Sequence, residues 1–138
     1  MLHKIIKQNY VKTYNIDLLK ENKEETLSLF NAVNNTSYSD ADAIEFTTIE
    51  NVLYMSMKND ISFLIDDTMN LYEHQSTINP NMPMRMLIYS GMLYTKYVQE
   101  NASTINLYST RQQMFPIPKL YGFYYSEKRT IPMFFTAA

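Results

Sequence analysis

Residues 61–76 read ISFLIDDTMNLYEHQS, and the way this run folds decides the rest of the chain. Ile61 to Ile65 is a short, apolar, β-branched stretch, and Met69 to Ser76 is a second strand-like one. Asp66, Asp67 and Thr68 between them have turn chemistry, so the run predicts an antiparallel hairpin. Its second arm carries Glu73, His74 and Gln75 where apolar residues usually sit. Alternate residues of a strand share a face, so Glu73 and Gln75 point one way and His74 the other. A turn about Asp67 and Thr68 sets Asp60 opposite Gln75 and Ser62 opposite Glu73, with facing side chains roughly 5 Å apart and diagonal ones roughly 7 to 8 Å apart. Asp60, Glu73 and Gln75 then converge on one patch. Two carboxylates that close repel each other unless a cation sits between them, and hard oxygen ligands suit Mg²⁺ or Mn²⁺. The plainer reading makes Asp60 a strand-end residue and Glu73 a solvated one.

Outward from the hairpin, helical and extended patterns alternate. Asp17 to Asn34 predicts a helix whose apolar face is Thr26, Leu29, Phe30 and Val33, with glutamates 21, 24 and 25 early in it, where they suit the helix dipole. Asn34 to Ser37 breaks that pattern, Ala43 to Thr48 predicts a strand, and Asn51 to Asn59 is an extended or looped segment. After the hairpin, Asn79-Pro80-Asn81-Met82-Pro83 is a helix-start signal. The helix it opens runs to about Asn101, with Met84, Leu87, Ile88, Gly91, Tyr94, Thr95 and Val98 along one stripe, where Gly91 permits close approach to a sheet. Ile105 to Tyr108 and Lys119 to Tyr125 predict two further strands, separated by the stiff PIP at 116–118. The order is helix, three strands, helix, strands: an α/β domain with a mixed central sheet flanked by helices.

Composition narrows the function. The chain has 138 residues, the size of one domain, with 46% hydrophobic and 19% charged residues, twelve Tyr, seven Phe and no Trp. Its formal net charge of −2 provides no global field for a polyanion, so any nucleic-acid contact is local. The absence of cysteine excludes disulfides, thiolate metal sites and a cysteine nucleophile, and is compatible with a cytoplasmic location. MLHKIIKQNY has neither the apolar core of a signal peptide nor that of an anchor, and no stretch approaches 18 apolar residues, which argues against a membrane.

The trio Asp60 and Glu73-His74-Gln75 across a hairpin, between two helices, resembles the core of the PD-(D/E)XK nuclease superfamily. MKNDISFLIDDTMNLYEHQSTINPNMPMRMLIYSGMLYTKYV, residues 57–98, is similar to its transposase-associated branch, the Rpn or YhgA-like recombination-promoting nucleases. The resemblance spans about Leu19 to Tyr125, with NPNMP and the hairpin its most specific parts and ETLSLFNAVNNTSY a weaker support. It implies a restriction-endonuclease-like core of αβββαβ order over residues 1–138. It also implies a metal held by Asp60 and Glu73, and DNA as the partner. The third motif position is usually lysine in that superfamily; here it is Gln75, which orients a water by hydrogen bonding but carries no positive charge. The implied activity is divalent-metal-dependent hydrolysis of DNA phosphodiester bonds, with the metal polarising the phosphate and lowering the pKa of a bound water.

Other residues carry weaker expectations. His74 faces away from Asp60 and packs beneath the second helix. Glu24 or Glu25 is a candidate third acidic ligand, Lys58 a candidate cation, and Arg85 a candidate phosphate contact, each with a plainer surface role. Family members continue into a further helical region, whereas this chain stops soon after KLYGFYYSEKRTIPMFFTAA. The domain therefore reads as truncated at its C-terminus, with IPMFFTAA lacking an obvious partner and apolar surface left for a partner or a second copy, a homodimer. The rival function is a catalytically silent remnant that binds protein or DNA without cutting.

Overall fold

A computed structural model of the chain describes residues 19–20, 22–48, 60–75, 79–125 and 130–135. Expectations for Asp17, Glu21, Asn51 to Asn59 with Lys58, and Ser76 lie outside the described residues. Helix α1 (Lys23–Asn34) begins at Asn22, whose side chain accepts from the Glu25 N–H at 3.0 Å. It ends where Asn35 turns left-handed at φ 55°. A single 3₁₀ turn at Ala41–Ala43, capped by Asp40, leads into a two-residue strand β1 (Glu45–Phe46). Capping by Asp40 draws the first part of the expected Ala43–Thr48 strand into this turn.

The hairpin forms from β2 (Ile61–Ile65) and β3 (Thr68–Gln75), followed by helix α2 (Met82–Glu100), β4 (Ile117–Tyr125) and β5 (Thr130–Phe135). These strands make one five-stranded mixed sheet in chain order, antiparallel except where β3 and β4 run parallel. The parallel pair requires a crossover, and α2 is that crossover. The tail residues Thr130 to Phe135, expected to lack a partner, pair with β4. Pro118 is tolerated near the start of β4 because the pairing with β5 reaches only Leu120. The expected strand at Ile105 to Tyr108 is instead a run of turns: Asn106 accepts from the Ser109 N–H through its carbonyl and from the Tyr108 N–H through its side chain. Leu107 and Tyr108 are left exposed there, 60% and 98%.

A helix covers each face of the sheet. On one side Leu27, Leu29, Phe30 and Val33 of α1 pack with Ile61, Phe63, Ile65, Tyr72 and Phe123. Edge-to-face rings tie this layer together, with Phe63 and Tyr72 centroids 5.2 Å apart and Tyr72 and Phe123 5.4 Å apart. On the other side Met82, Met86, Tyr89 and Leu93 of α2 pack on Met69 and Leu71. That sheet-facing stripe is not the predicted one. Met84, Leu87 and Gly91 face outward, and a Cβ built at Gly91 meets nothing within 4 Å, so glycine allows no close approach to the sheet.

Candidate active site

The hairpin's register fixes the site. Ile65 pairs with Thr68 and Ile61 with Tyr72, so the loop is the two residues Asp66 and Asp67, with Asp66 at φ 49°. The Asp66 carboxylate accepts from the Tyr38 hydroxyl, tying the loop to the segment after α1. A turn one residue earlier than predicted moves every pairing by two: Ser62 faces Leu71, not Glu73, and Asp60 falls opposite Glu73, not Gln75. A shift of two preserves the face, so Asp60 and Glu73 still meet, as direct and no longer diagonal neighbours.

Asp60 and Glu73 engage each other's backbone. The Asp60 N–H donates to Glu73 Oε1 at 3.1 Å, and the Asp60 Oδ2 accepts from the His74 N–H at 2.7 Å. Glu73 is only 1% exposed, at the end of the face where Met69 and Leu71 meet α2. Burial and then the nearby Asp60 charge push its carboxyl up to about 7, against partial relief from the Asp60 N–H and Arg85.

Arg85 enters from the first turn of α2, with its Nη2 3.6 Å from Glu73 Oε2. The same nitrogen donates to the Tyr89 hydroxyl at 3.4 Å, and the guanidinium lies 5.8 Å from the centre of that ring. It remains about a third exposed, bridging a buried acid and solvent. Sequence alone gave Arg85 no privileged place, because its contact depends on how α2 is rotated over the sheet. The proline at 83 and the cluster of asparagines at 79 and 81 mark where α2 starts, but not which way its third turn position points.

Gln75 is the last residue of β3 and pairs with Tyr124 of β4. His74 is half-buried on the opposite face, that of Tyr72 and α1, and not beneath α2 as expected. It contributes its backbone N–H to the site. Glu24 and Glu25 sit in the first turn of α1, the helix that covers the other face from Glu73. Among the described residues, no three His, Cys, Asp or Glu side chains gather at one point. The acid pair therefore has hard oxygen donors for a divalent cation, with any further ligands supplied by water, backbone or substrate. Carboxylate oxygens are donors of the kind Mg²⁺ or Mn²⁺ takes, and a cation there would offset the Asp60 charge that, after burial, raises the Glu73 carboxyl.

No helix among the described residues is long and apolar enough to cross a membrane. Comparison with protein-family models finds no matching family, and comparison with curated proteins and with solved structures finds no significant match, so the functional reading rests on the acid pair and its arginine.

Proposed function

We propose that the chain is a divalent-metal-dependent DNA endonuclease of the PD-(D/E)XK type, hydrolysing phosphodiester bonds in a recombination or mobile-element setting. The observation that carries this reading is the pair Asp60 and Glu73, opposed across an antiparallel ladder, with a buried glutamate whose carboxyl is pushed up to about 7. A buried acid perturbed by desolvation and by a specific charged neighbour is a functional-site candidate. The order of α1, three strands, α2 and β4 in a mixed sheet, with the pair at the open end of the hairpin, supports this reading.

Asp60 and Glu73 would hold the cation, which supplies Lewis acidity and charge neutralisation at a scissile phosphate. Gln75, a neutral hydrogen-bonding group, would orient a water molecule. Arg85 supplies the positive charge that the glutamine lacks. A guanidinium is always protonated and forks onto phosphate oxygens, so Arg85 binds and orients the scissile group but takes no proton. Proton removal then falls to the phosphate itself or to solvent.

A second reading, a silent interaction module, draws on the Arg85 to Glu73 ion pair: a site that neutralises its own acid at rest has less need of a metal. Titration with Mn²⁺ or Mg²⁺, followed by plasmid nicking, separates the two. Metal binding and nicking by the unchanged protein, both lost in Asp60→Asn, support the nuclease; a protein that binds no metal is the silent module.

A further inference from the structure

The oxygens of the acid pair are not equivalent. Glu73 Oε1 is taken by the Asp60 N–H and Asp60 Oδ2 by the His74 N–H. Asp60 Oδ1 and Glu73 Oε2 are the oxygens without a backbone donor among the described residues, and Arg85 sits on the second of them. Its Nη2 lies 3.6 Å from Glu73 Oε2, so a metal ion using that oxygen would face a positive charge already at contact distance. Guanidinium and metal ion repel each other there, and the arginine is the one that can move.

Arg85 has a second hold. Nη2 also donates to the Tyr89 hydroxyl at 3.4 Å, and the guanidinium carbon lies 5.8 Å from the centre of the Tyr89 ring. Tyr89 stands one turn further along α2, is 3% exposed and belongs to the cluster of Met69 and Leu71, so it is a fixed post. The arginine side chain is about a third exposed, and its Nε and Nη1 groups have no acceptor among the described residues. A guanidinium is a planar fork of N–H donors with no acceptor of its own, so these unused donors suit an anion arriving from solvent. Leaving Glu73 gives up one long ion pair and keeps the contact with Tyr89.

We propose that Arg85 is the resting counter-ion of Glu73, and that it exchanges with a divalent cation, turning about Tyr89 towards a phosphate. The inference rests on the metal-dependent nuclease reading and adds regulation to that site. Arg85 has two arrangements, and each ligand biases it towards the same one. A phosphodiester that takes up the guanidinium uncovers Glu73 Oε2 for the cation, and Arg85 driven off Oε2 is free for the phosphodiester. The coupling is reciprocal, so the site loads cation and substrate together.

Mn²⁺ binding to the whole chain at pH 8, followed by electron paramagnetic resonance, tests the exchange with no DNA present. Arg85→Gln is expected to tighten Mn²⁺ binding at least about fivefold, the lower end of the usual range for coupled sites. In the unchanged protein, Mg²⁺ is expected to shift the nuclear magnetic resonance signal of the Arg85 Nε–H group, assigned by its loss in Arg85→Lys. Binding of Mn²⁺ by Arg85→Gln alone also supports the exchange, as a guanidinium that keeps the cation out until substrate arrives. If neither protein binds Mn²⁺, the metal reading of the site falls and the exchange with it. Equal affinities overturn the exchange and leave the metal site standing. Tighter binding in Arg85→Gln with an Arg85 signal that Mg²⁺ does not move assigns the effect to charge acting at a distance, and also overturns the exchange.

Discussion

Glu73 Oε1 accepts from the backbone N–H of Asp60, while Asp60 Oδ2 accepts from the N–H that follows Glu73, so each acid is positioned by the other's strand. The arrangement costs the burial of a carboxylate and, after that, its repulsion by Asp60, visible as a Glu73 carboxyl raised from 4.5 to about 7. A carboxyl raised by folding makes the native state the better proton binder between those values, so stability falls as pH rises from about 4.5 to about 7 and stays low above it. Glu73→Gln keeps an oxygen for the Asp60 N–H and removes the charge. Urea denaturation at pH 8 without metal should show the variant more stable by on the order of 2 to 3 kcal/mol, with the difference fading by pH 5. Equal stability of the two proteins at pH 8 contradicts the burial of a charge there.

Divalent cations should cancel the same penalty. In the unchanged protein, millimolar Mn²⁺ is expected to raise the melting temperature at pH 8 by several degrees, through preferential binding to the folded state. The increment should disappear in Asp60→Asn and Glu73→Gln. A metal-independent melting curve removes the support for a cation between the two acids.

Arg85 offsets part of the Glu73 charge. Its own partial exposure limits the pair to about 1 kcal/mol. Arg85→Gln should therefore cost about that much near pH 8 and almost nothing below pH 5, where Glu73 is protonated in the folded protein. In the Glu73→Gln background the cost should vanish at every pH, which a double-mutant cycle measures. A pH-independent loss would instead mark Arg85 as packing through its stem and Tyr89.

Parity explains which parts of the site were legible. The face shared by Asp60 and Glu73 follows from a period of two, and it survives a turn displaced by one residue because that displacement moves pairings by two. The register itself was not legible, since Asp66-Asp67 and Asp67-Thr68 have equal turn chemistry and either places an Asp in the left-handed first position that Asp66 takes at φ 49°. Helix α2 was legible in extent but not in rotation, because both its faces are apolar and only tertiary contact chooses between them. Arg85, a candidate phosphate contact from sequence, could not be placed beside Glu73 without that rotation. Ile105 to Tyr108 has strand composition, yet Asn106 and Ser109 bind the local backbone and no sheet edge is offered to it.

Asn35 closes α1 in the left-handed region, where its N–H reaches the Asn31 carbonyl. A side chain with a Cβ pays about 1 kcal/mol there unless, like Asn, it is at ease with the conformation. Asn35→Ala should lower stability by about 1 kcal/mol, and Asn35→Gly should leave it equal or higher. Chemical denaturation resolves the ordering; an alanine variant as stable as the glycine one would place this cap outside the left-handed region.

Tyr72 sits at the centre of the α1 face, enclosed by Phe63, Tyr121 and Phe123, and its hydroxyl, near the Asn34 side chain, makes no hydrogen bond of ordinary geometry among the described residues. Burial pushes that hydroxyl well above the ordinary tyrosine range, so it is neutral at any working pH. An unpaired buried hydroxyl carries a desolvation cost of about 1 to 3 kcal/mol, while the ring makes all the edge-to-face contacts. Tyr72→Phe keeps the ring and removes the cost, so it should stabilise the fold by about 1 kcal/mol. Phe63→Ala, which deletes the neighbouring ring, should cost about 3 to 5 kcal/mol. The contrast is the informative measurement, because a merely fragile core would lose stability in both variants. Destabilisation of Tyr72→Phe by more than about 1 kcal/mol would show that a bound water or a rearranged Asn34 side chain satisfies the hydroxyl in solution.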